Sequence, residues 1–181
     1  VAGTPAAPAA GQPTGSGSHR AGRCPAATGR VTARTLGPVA LGTTRARLRR
    51  RLVRFVTRQG FDVFCLAGGP GIRVGYPSAA LRRRLRGRAH SRYAGRAVLA
   101  LTANRHYALD GVRPGTRLSR AAGRLHLGTP LRIGANRWYV LSRRGGEGVF
   151  KVQRGVIAEV GIAAPGLARG RAAQRRLLTG V

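Results

Sequence analysis

Two apolar runs joined by glycines dominate the pattern of the first half of the chain. Residues 61–66 are apolar at almost every position, which is typical of a central strand covered on both faces. Residues 67–71, AGGPG, supply the glycines that a tight turn with positive φ requires. Ile72 and Val74 then alternate with other residues. The segment 61–76 is therefore predicted to form a β-hairpin.

The stretch before this hairpin has a helical period instead. Four apolar residues fall on one helical face: Leu48, Leu52, Phe55 and Val56. Thr43 or Thr44 is predicted to cap the start of this helix, and Gly60 to end it. Arginines fill most of its other positions and repel one another, so tertiary packing must stabilise the helix.

The middle of the chain continues with short elements. Ser78 is predicted to open a short helix that ends at Gly87. Residues 97–102 are an apolar run typical of a buried strand. Residues 105–109 are predicted to form its partner strand across a turn. A further helix is expected within residues 111–125, where apolar residues again recur at helical spacing.

Residues 131–163 alternate most clearly between apolar and other positions. The runs LRIG, NRWYVLS, GVFKVQ and VIAEVGIA are separated by glycine turns, which predicts an antiparallel meander. A Gly-Thr pair starts a helix and strands twice, at Gly42 and at Gly115. The predicted fold class is therefore α+β, an antiparallel sheet with short helices packed on one face, and residues 31–109 and 111–163 are candidate pseudo-repeats.

Composition divides the chain into three parts. Residues 1–22 are almost entirely Ala, Gly, Pro, Ser and Thr, and such a segment has too little large apolar surface to offset the entropy of ordering. It is predicted to be a disordered linker, followed by an α+β domain at 23–165. Residues 166–181 are predicted to be a basic helix or tail, and docking on the sheet and fraying both stay open.

The net charge is the property of the composition that bears most on the choice of ligand. The chain has 34 Lys and Arg against 4 Asp and Glu, a formal net charge of +30, so it must attract polyanions. Every basic residue except Lys151 is arginine. GC-rich coding DNA also produces that bias, so the arginine excess is compatible with a binding function and with codon composition.

Cysteine usage bears on the compartment. Cys24 and Cys65 are the two cysteines, without a CxxC motif or a histidine at ligand spacing, so a zinc site is not expected. One disulfide is the economical interpretation, and two free thiols are the alternative. A disulfide would indicate a secreted or extracytoplasmic protein. The sequence contains no run of 18 or more apolar residues, so no membrane span is expected.

Several motifs resemble known families. LGTT at 41–44 and PGTR at 114–117 are similar to the helix-opening signal of the β-lactamase-inhibitor-protein-like fold, which includes small outer-membrane assembly lipoproteins; the methionine usual there is absent. Four segments, FCLAGGPGIRVGYP, LTANRHYAL, IGANRWYVL and GVIAEVGIA, resemble an uncharacterised arginine-rich secreted domain of high-GC bacteria over about residues 24–178. The resemblance implies an exported protein or module and transfers no catalytic residues.

The titratable residues form no recognisable catalytic motif. Glu159 lies among apolar residues of a predicted strand and is expected to pair with an arginine. Oxidation of Cys65 would remove the one thiol near which a histidine base could act. The other candidate groups are three acids and three histidines: Asp62, Asp110, Glu147, His90, His106 and His126. No catalytic residue, cofactor or metal ligand is predicted, and the glycine-rich turn lacks the Lys and Ser/Thr of a phosphate-binding loop.

Aromatic residues next to arginines are candidates for binding. NRHY at 104–107 and NRWY at 136–139 share a pattern, and both are expected to start a strand. The candidate binding surface consists of Arg105, Tyr107, Arg137, Trp138 and Tyr139, which are side-chain types that stack on bases or sugar rings. The alternative for Tyr107 and Tyr139 is a half-buried sheet position with the hydroxyl at the rim.

These features favour a non-enzymatic, extracytoplasmic interaction domain that binds a protein or an anionic polymer at the cell envelope. The alternative is a basic protein that binds nucleic acid without specificity, since the net charge of +30 suits any polyanion. A third interpretation is an accessory or inhibitor domain of a hydrolase. The sequence gives neither the identity of the partner nor the oligomeric state.

Overall fold

The structure is a computed structural model that describes residues 23–58, 60–85 and 87–181. The predicted linker at 1–22 lies outside these residues. The elements of the described chain are β1 (Thr35–Leu36), β2 (Val39–Ala40), α1 (Arg45–Arg51), β3 (Arg54–Arg58), β4 (Phe61–Leu66), β5 (Gly69–Gly75), α2 (Ala79–Arg84), α3 (Arg88–Tyr93), β6 (Leu99–Thr102), α4 (Leu118–Ala122), β7 (Leu131–Ile133), β8 (Asn136–Arg143), β9 (Gly146–Gln153), β10 (Val156–Ala163), a 3₁₀ turn (Pro165–Leu167) and α5 (Arg171–Thr179).

The fold is built on one antiparallel sheet. Eight of the described strands form it in the order β3-β4-β5-β6-β10-β9-β8-β7, and β1 and β2 form a separate hairpin. The α+β class and the meander at 131–163 are confirmed. Strands β3 to β6 and β7 to β10 are two halves in chain order that meet where β6 pairs with β10. The halves fall within 31–109 and 111–163, but descent from a duplication stays a prediction.

Apolar side chains cover both faces of the sheet. On one face, α1 and α4 pack through Leu48 and Ala121. On the other face, α2, α3 and α5 pack through Leu81, Tyr93 and Leu177. The sequence predicted helices on one face of the sheet only, whereas the structure has helices on both faces. Every residue of the central strand β6 is buried, so this strand must be covered from both sides. Helix α5 is docked rather than frayed, since its Leu177 is buried.

Helix α1 is shorter than the helical period predicted. Thr44 caps it, because its Oγ1 accepts a hydrogen bond from the Arg47 amide at 3.3 Å. The predicted end at Gly60 is wrong, since β3 pairs antiparallel with β4 instead. The β-branched residues of β3 and the free edge of β4 favour a strand over a helix of repelling arginines. The Phe55 side chain lies outside the described residues.

The predicted hairpin is formed by β4 and β5. Gly68 lies in its turn with φ +79°, a conformation that favours glycine. Gly71 is required for a different reason, since a Cβ atom there would lie 2.1 Å from the carbonyl oxygen of Phe64. Ile72 and Val74 are fully buried in the core cluster that also contains Leu48 of α1. The hairpin is therefore an architectural element.

The predicted disulfide joins Cys24 to Cys65, with 5.3 Å between their Cα atoms. The chain beside it follows the end of β4, because the Ala67 amide donates a hydrogen bond to the Pro25 carbonyl at 2.8 Å. Both cysteines are thus oxidised, and the bridge attaches the start of the described chain to the sheet.

Residues 105–109, predicted as a strand, form a turn. The side-chain Oδ1 of Asn104 accepts a hydrogen bond from the His106 amide at 2.9 Å, and the Asn104 carbonyl accepts one from the Tyr107 amide at 3.1 Å. Such a turn is typical of asparagine. Strand β6 is already paired on both sides, by β5 and β10, so the sheet offers no edge to a strand here.

Candidate functional site

Asp62 on β4 is held by two arginines of α1. Its carboxylate is inaccessible to solvent and accepts hydrogen bonds from Arg45 and Arg49, each with Nη2 2.8 Å from Oδ1, and from the Thr57 hydroxyl at 2.9 Å. Burial alone would raise the pKa of Asp62, but the hydrogen bonds from Arg49, Arg45 and Thr57 outweigh it and hold that pKa well below its ordinary value. Asp62 therefore neutralises part of the charge of α1.

Glu159 on β10 is paired in the same way, as predicted. Arg73 donates two hydrogen bonds to its carboxylate, at 2.7 and 2.6 Å, and the Lys151 Nζ lies 3.2 Å away. Burial opposes the charge of Glu159, but the contacts with Arg73 and Lys151 outweigh it and lower the pKa of this carboxyl. This geometry is that of a structural ion pair across the sheet.

The other two acids differ in how they are paired. Asp110 pairs with Arg143, with 2.7 Å between Oδ1 and Nη2. Glu147 lies on β9 opposite Ala163 and is buried, and its Oε2 has no hydrogen-bond partner among the described residues. Three of the four carboxylates of the chain are thus held in ion pairs, and none belongs to the helical layer formed by α2, α3 and α5.

That layer has an arginine-rich outer side. No acidic residue lies at positions 63–109 or 160–181, which include all three helices. Because their apolar positions face the sheet, the basic positions are left in solvent. We call the following exposed residues the arginine layer: Arg82, Arg83, Arg84, Arg88, Arg92, Arg169, Arg171, Arg175 and Arg176.

Some of these arginines also fix the position of α5. The Arg171 guanidinium donates hydrogen bonds to the carbonyl oxygens of Thr129 and Pro130, at 2.7 and 3.3 Å. Arg175 donates one to the carbonyl of Arg132 at 3.4 Å. These bonds tie α5 to β7 and to the loop before it, so the cationic groups are presented from a held helix.

A cleft of about 340 Å³ lies between α2 and α5. Arg84 and Arg176 lie on its walls, and Leu81, Leu85 and Leu167 contribute apolar side chains. A low local dielectric strengthens the interaction of a guanidinium with an anion. This cleft is therefore suited to an anionic group attached to an apolar or sugar unit.

A second cleft, also of about 340 Å³, is formed where α3 meets the β1–β2 hairpin and the end of β10. We call it the three-arginine cleft, and its lining residues are Arg34, Leu41, Gly42, Arg92, Tyr93, Arg96, Ala164 and Pro165. These residues come from three distant segments, so their spacing along the chain carries no signal of the cleft, and the cleft was not predicted from the sequence.

The opposite helical layer offers a different surface. The cleft beside α4 is lined by Leu118, Leu125, Leu127 and Tyr139, with His126 and small residues, and no arginine is among its lining residues. The two faces of the protein therefore differ in chemistry, although both carry exposed arginines.

The binding surface predicted from aromatic residues is not assembled. Tyr107, Trp138 and Tyr139 are all buried, at 0%, 7% and 8% exposure, so their rings do not form an exposed stacking surface, and of the three only Tyr139 lines one of the clefts described above. Trp138 and Tyr139 belong to core clusters on opposite faces of the sheet, because successive strand residues point to opposite sides. Arg105 is exposed and Arg137 is half-buried. The two tyrosines are buried more deeply than the half-buried alternative predicted.

The candidate histidines are dispersed. His90, His106 and His126 are exposed, on α3, in the turn after β6 and in the loop after α4. Within residues 23–58, 60–85 and 87–181 there is no group of three or more His, Cys, Asp or Glu side chains that could hold a metal ion. In the same part of the chain, no helix has the length and apolar character to span a bilayer.

The fold and this surface define an α+β protein whose layer of α2, α3 and α5 is strongly cationic and contains no acidic residue. No family model and no curated protein matches the chain. Among solved structures, it is similar to an extracellular protein containing a SCP domain from Bacillus anthracis str. Ames, with a TM-score of 0.41 and 9% identity. The alignment covers 82% of this chain and 53% of that protein, so the chain spans about half of its length.

Proposed function

We propose that this chain is an extracytoplasmic binding domain whose arginine layer binds an anionic polymer of the cell envelope. The observation that carries the proposal is the set of nine exposed arginines on α2, α3, α5 and the adjoining turn, in segments without a single acid. Like charges so close together destabilise the free protein slightly, and a bound polyanion relieves that repulsion.

The chemistry of the layer suits phosphate, sulfate or carboxylate groups. A guanidinium forms paired hydrogen bonds with such anions and is weakly hydrated, so it loses less on desolvation than an ammonium group. Binding of a polyanion also releases counterions, which makes the affinity depend steeply on salt. The apolar walls of the cleft between Arg84 and Arg176 add contact area for the unit that carries the charge.

The disulfide supports the extracytoplasmic part of the proposal. Bridges such as Cys24–Cys65 persist in oxidising compartments and are rare in a reducing cytosol. Polyanions accessible there are envelope polymers rather than chromosomal DNA, so the compartment also bears on the choice of ligand.

Nucleic acid is the alternative ligand. Recognition of single strands uses aromatic platforms on which bases stack, and duplex recognition uses an element that enters a groove. The burial of Tyr107, Trp138 and Tyr139 removes the stacking residues that the sequence offered, which favours an envelope polymer. Nucleic acid is then bound through phosphates only, as any polyanion would be.

Neutralising the arginine layer tests the proposal. A variant with Arg82→Gln, Arg83→Gln, Arg84→Gln and Arg176→Gln is compared with a control variant that loses four exposed arginines of α1 and α4 instead, namely Arg47→Gln, Arg50→Gln, Arg51→Gln and Arg120→Gln. Binding to poly(glycerol phosphate) and to duplex DNA is measured by fluorescence anisotropy across a salt series. We expect the layer variant to lose about 10-fold or more in affinity for the polymer, and the control about 3-fold or less.

Both variants have the same net charge, so an equal loss in both would mean that net charge alone drives binding, and would contradict a localised site. The alternative function gives its own result. If the wild-type protein prefers particular DNA or RNA sequences over the polymer by about 10-fold or more at equal salt, it is a nucleic-acid-binding protein.

A further inference from the structure

We infer that the three-arginine cleft is a site for a phosphate group carried on a small organic unit. This inference rests on the proposed function, since it names the chemical group of the anionic polymer that enters the arginine layer. The cleft shares Arg92 with that layer and adds Arg34 and Arg96, which approach from other segments of the chain.

Backbone hydrogen bonds hold the walls of the cleft. The Gly42 amide donates to the Ala97 carbonyl at 2.8 Å, and the Ala164 amide donates to the Val98 carbonyl at 2.8 Å. The short segment 96–98 therefore lies between two cleft walls and fixes their separation. A site formed before the ligand arrives does not lose affinity to the ordering of loops.

The hairpin of β1 and β2 places the third arginine. The Leu41 amide donates to the Arg34 carbonyl at 2.9 Å, so these two lining residues face each other across the base of the hairpin. The next residue, Gly42, donates its amide hydrogen bond to Ala97, which follows Arg96 in the chain. These two hydrogen bonds hold Arg34 close to Arg96.

The arginine side chains of the cleft have more N–H donors than the hydrogen bonds they form with the protein. Arg96 donates from Nη1 to the Gly42 carbonyl at 3.0 Å, and a guanidinium has five N–H donors. Arg92 lies over the Tyr93 ring, 5.6 Å from its centroid, which orients its guanidinium without using its N–H groups. Among the described residues, no ion pair joins Arg34, Arg92 or Arg96 to a carboxylate. The cleft therefore gathers three positive charges that need an anion.

Charge and size favour phosphate. A phosphate monoester carries about 1.5 to 2 negative charges near pH 7 and three acceptor oxygens, whereas a carboxylate carries one charge and two oxygens. The phosphates inside a polymer are diesters with one charge each, so the group of the polymer that suits three guanidinium groups is a phosphate monoester at a chain end. The volume of about 340 Å³ lies at the small end of ligand pockets, roughly 300 to 1,000 Å³, and exceeds the volume of a bare ion. Leu41, Tyr93 and Ala164 supply apolar contacts for the organic unit.

One acid lies near this cleft along the sheet. Glu147 is opposite Ala163, the residue before Ala164, but it is buried and does not line the cleft. The lining side chains are thus basic, aromatic or apolar, which is the composition expected of a site for an organic phosphate.

Titration calorimetry with glycerol phosphate, inorganic phosphate and acetate at one fixed ionic strength tests the site. We expect one glycerol phosphate to bind per chain, about 10-fold or more tighter than acetate. The double variant Arg34→Gln with Arg92→Gln should lower the affinity for glycerol phosphate about 10-fold. The control variant Arg47→Gln with Arg50→Gln removes the same charge from α1 and should change this affinity less than about 2-fold. All four side chains are exposed, and equal melting temperatures of the variants verify the fold.

Poly(glycerol phosphate) is titrated beside the free ester, so that a site for polymer units is distinguished from one for free metabolites. A polymer with a terminal phosphate monoester that binds, per chain end, at least as tightly as the free ester assigns the group to the polymer, and preference for the free ester overturns the link to the envelope ligand. Glycerol phosphate that binds no better than acetate, or equally well to both variants, overturns the site itself. The four-arginine layer variant keeps Arg34, Arg92 and Arg96, so its loss of polymer binding tests the proposed function separately.

Discussion

Individual ion pairs determine how this chain tolerates its own charge. Four acids face 34 basic residues, and Asp62 and Glu159 each take more than one cation. A buried carboxylate is costly unless it is paired and hydrogen-bonded, and both residues meet that condition. The acids therefore act inside the fold, and the arginines outside these pairs remain available to a ligand.

The Asp62 cluster predicts a specific pH dependence. Because the pKa of Asp62 is lowered in the folded protein, its contribution to stability is complete above its unfolded pKa of about 3.9 and is lost as the pH falls through the lower folded-state pKa. Asp62→Asn should lower the free energy of unfolding at pH 7 by about 1 to 2 kcal/mol, a modest value since Arg45 and Arg49 are each about one third exposed. Urea unfolding from about pH 7 to about pH 2 measures it.

The difference between wild type and Asp62→Asn should shrink as the pH falls below about 4, because protonated Asp62 no longer attracts the arginines. Asp110→Asn is the control, since the Asp110–Arg143 pair is partly exposed and contributes little. Unfolding curves of wild type and Asp62→Asn that stay equally far apart from pH 7 to pH 2 would refute the assignment.

Among the elements, β3 is the one whose type the sequence did not predict. The helical period continued through Val56, but β4 had an open edge that β3 fills by antiparallel pairing. Helix α1 is stabilised by the Thr44 cap and by contacts of Arg45 and Arg49 with Asp62, none of which extends beyond the helix into residues 54–58. The apolar spacing typical of a helix therefore continues into residues 54–58, where pairing with β4 is more favourable than a longer helix.

The hairpin of β4 and β5 gives a test at a single glycine. Gly71→Ala places a methyl group 2.1 Å from the Phe64 carbonyl oxygen, a backbone atom that can move only if the two strands separate. We expect a loss of roughly 1 to 3 kcal/mol in the free energy of unfolding. Gly128→Ala is the matched control, because a Cβ atom there meets no heavy atom within 4 Å.

Thermal or urea unfolding of both alanine variants measures the effect. The control should stay within a few tenths of a kcal/mol of wild type, or gain slightly through reduced freedom of the unfolded chain. Equal stability of Gly71→Ala and Gly128→Ala would show that the close approach of the two strands is not needed.

For the protein as one unit, the disulfide is the cross-link between the start of the described chain and the sheet. Cys24 and Cys65 are 41 residues apart, and closing such a loop stabilises the folded state by roughly 3 to 4 kcal/mol on the chain-entropy model. Cys24→Ser with Cys65→Ser should lower the melting temperature by an amount that corresponds to this loss. Reduction of the wild type should lower it similarly.

Mass spectrometry after alkylation provides the control for this experiment. Native protein should take up no alkyl group before reduction and two after reduction and unfolding, since both cysteines are in the bridge. Uptake of two groups by the unreduced native protein would contradict the bridge, and with it the extracytoplasmic part of the proposed function.

Local chemistry made many features predictable from the sequence. The Thr44 and Ser78 caps, the turn at Gly68 and the meander of β7 to β10 all follow from residues adjacent in the chain. The pairing of Glu159 followed from its apolar neighbours, and that of Cys24 with Cys65 from the absence of other cysteines. The rings of the predicted binding surface are buried, because both faces of the sheet are covered and period-2 alternation does not say which faces are covered. That these residues bind a ligand stays a prediction.

The sequence by itself determined the net charge and indicated the α+β class, because these depend on composition or on short-range pattern. It allowed a disulfide between Cys24 and Cys65 but left two free thiols as the alternative. Tertiary structure decided which faces are covered, where β3 joins the sheet and which arginines meet. Arg34, Arg92 and Arg96 come together because Gly42 and Ala164 are hydrogen-bonded to residues 97–98, the segment that leads into β6. Contacts between residues so distant along the chain depend on how separate elements pack against one another, which the pattern within a single element does not determine.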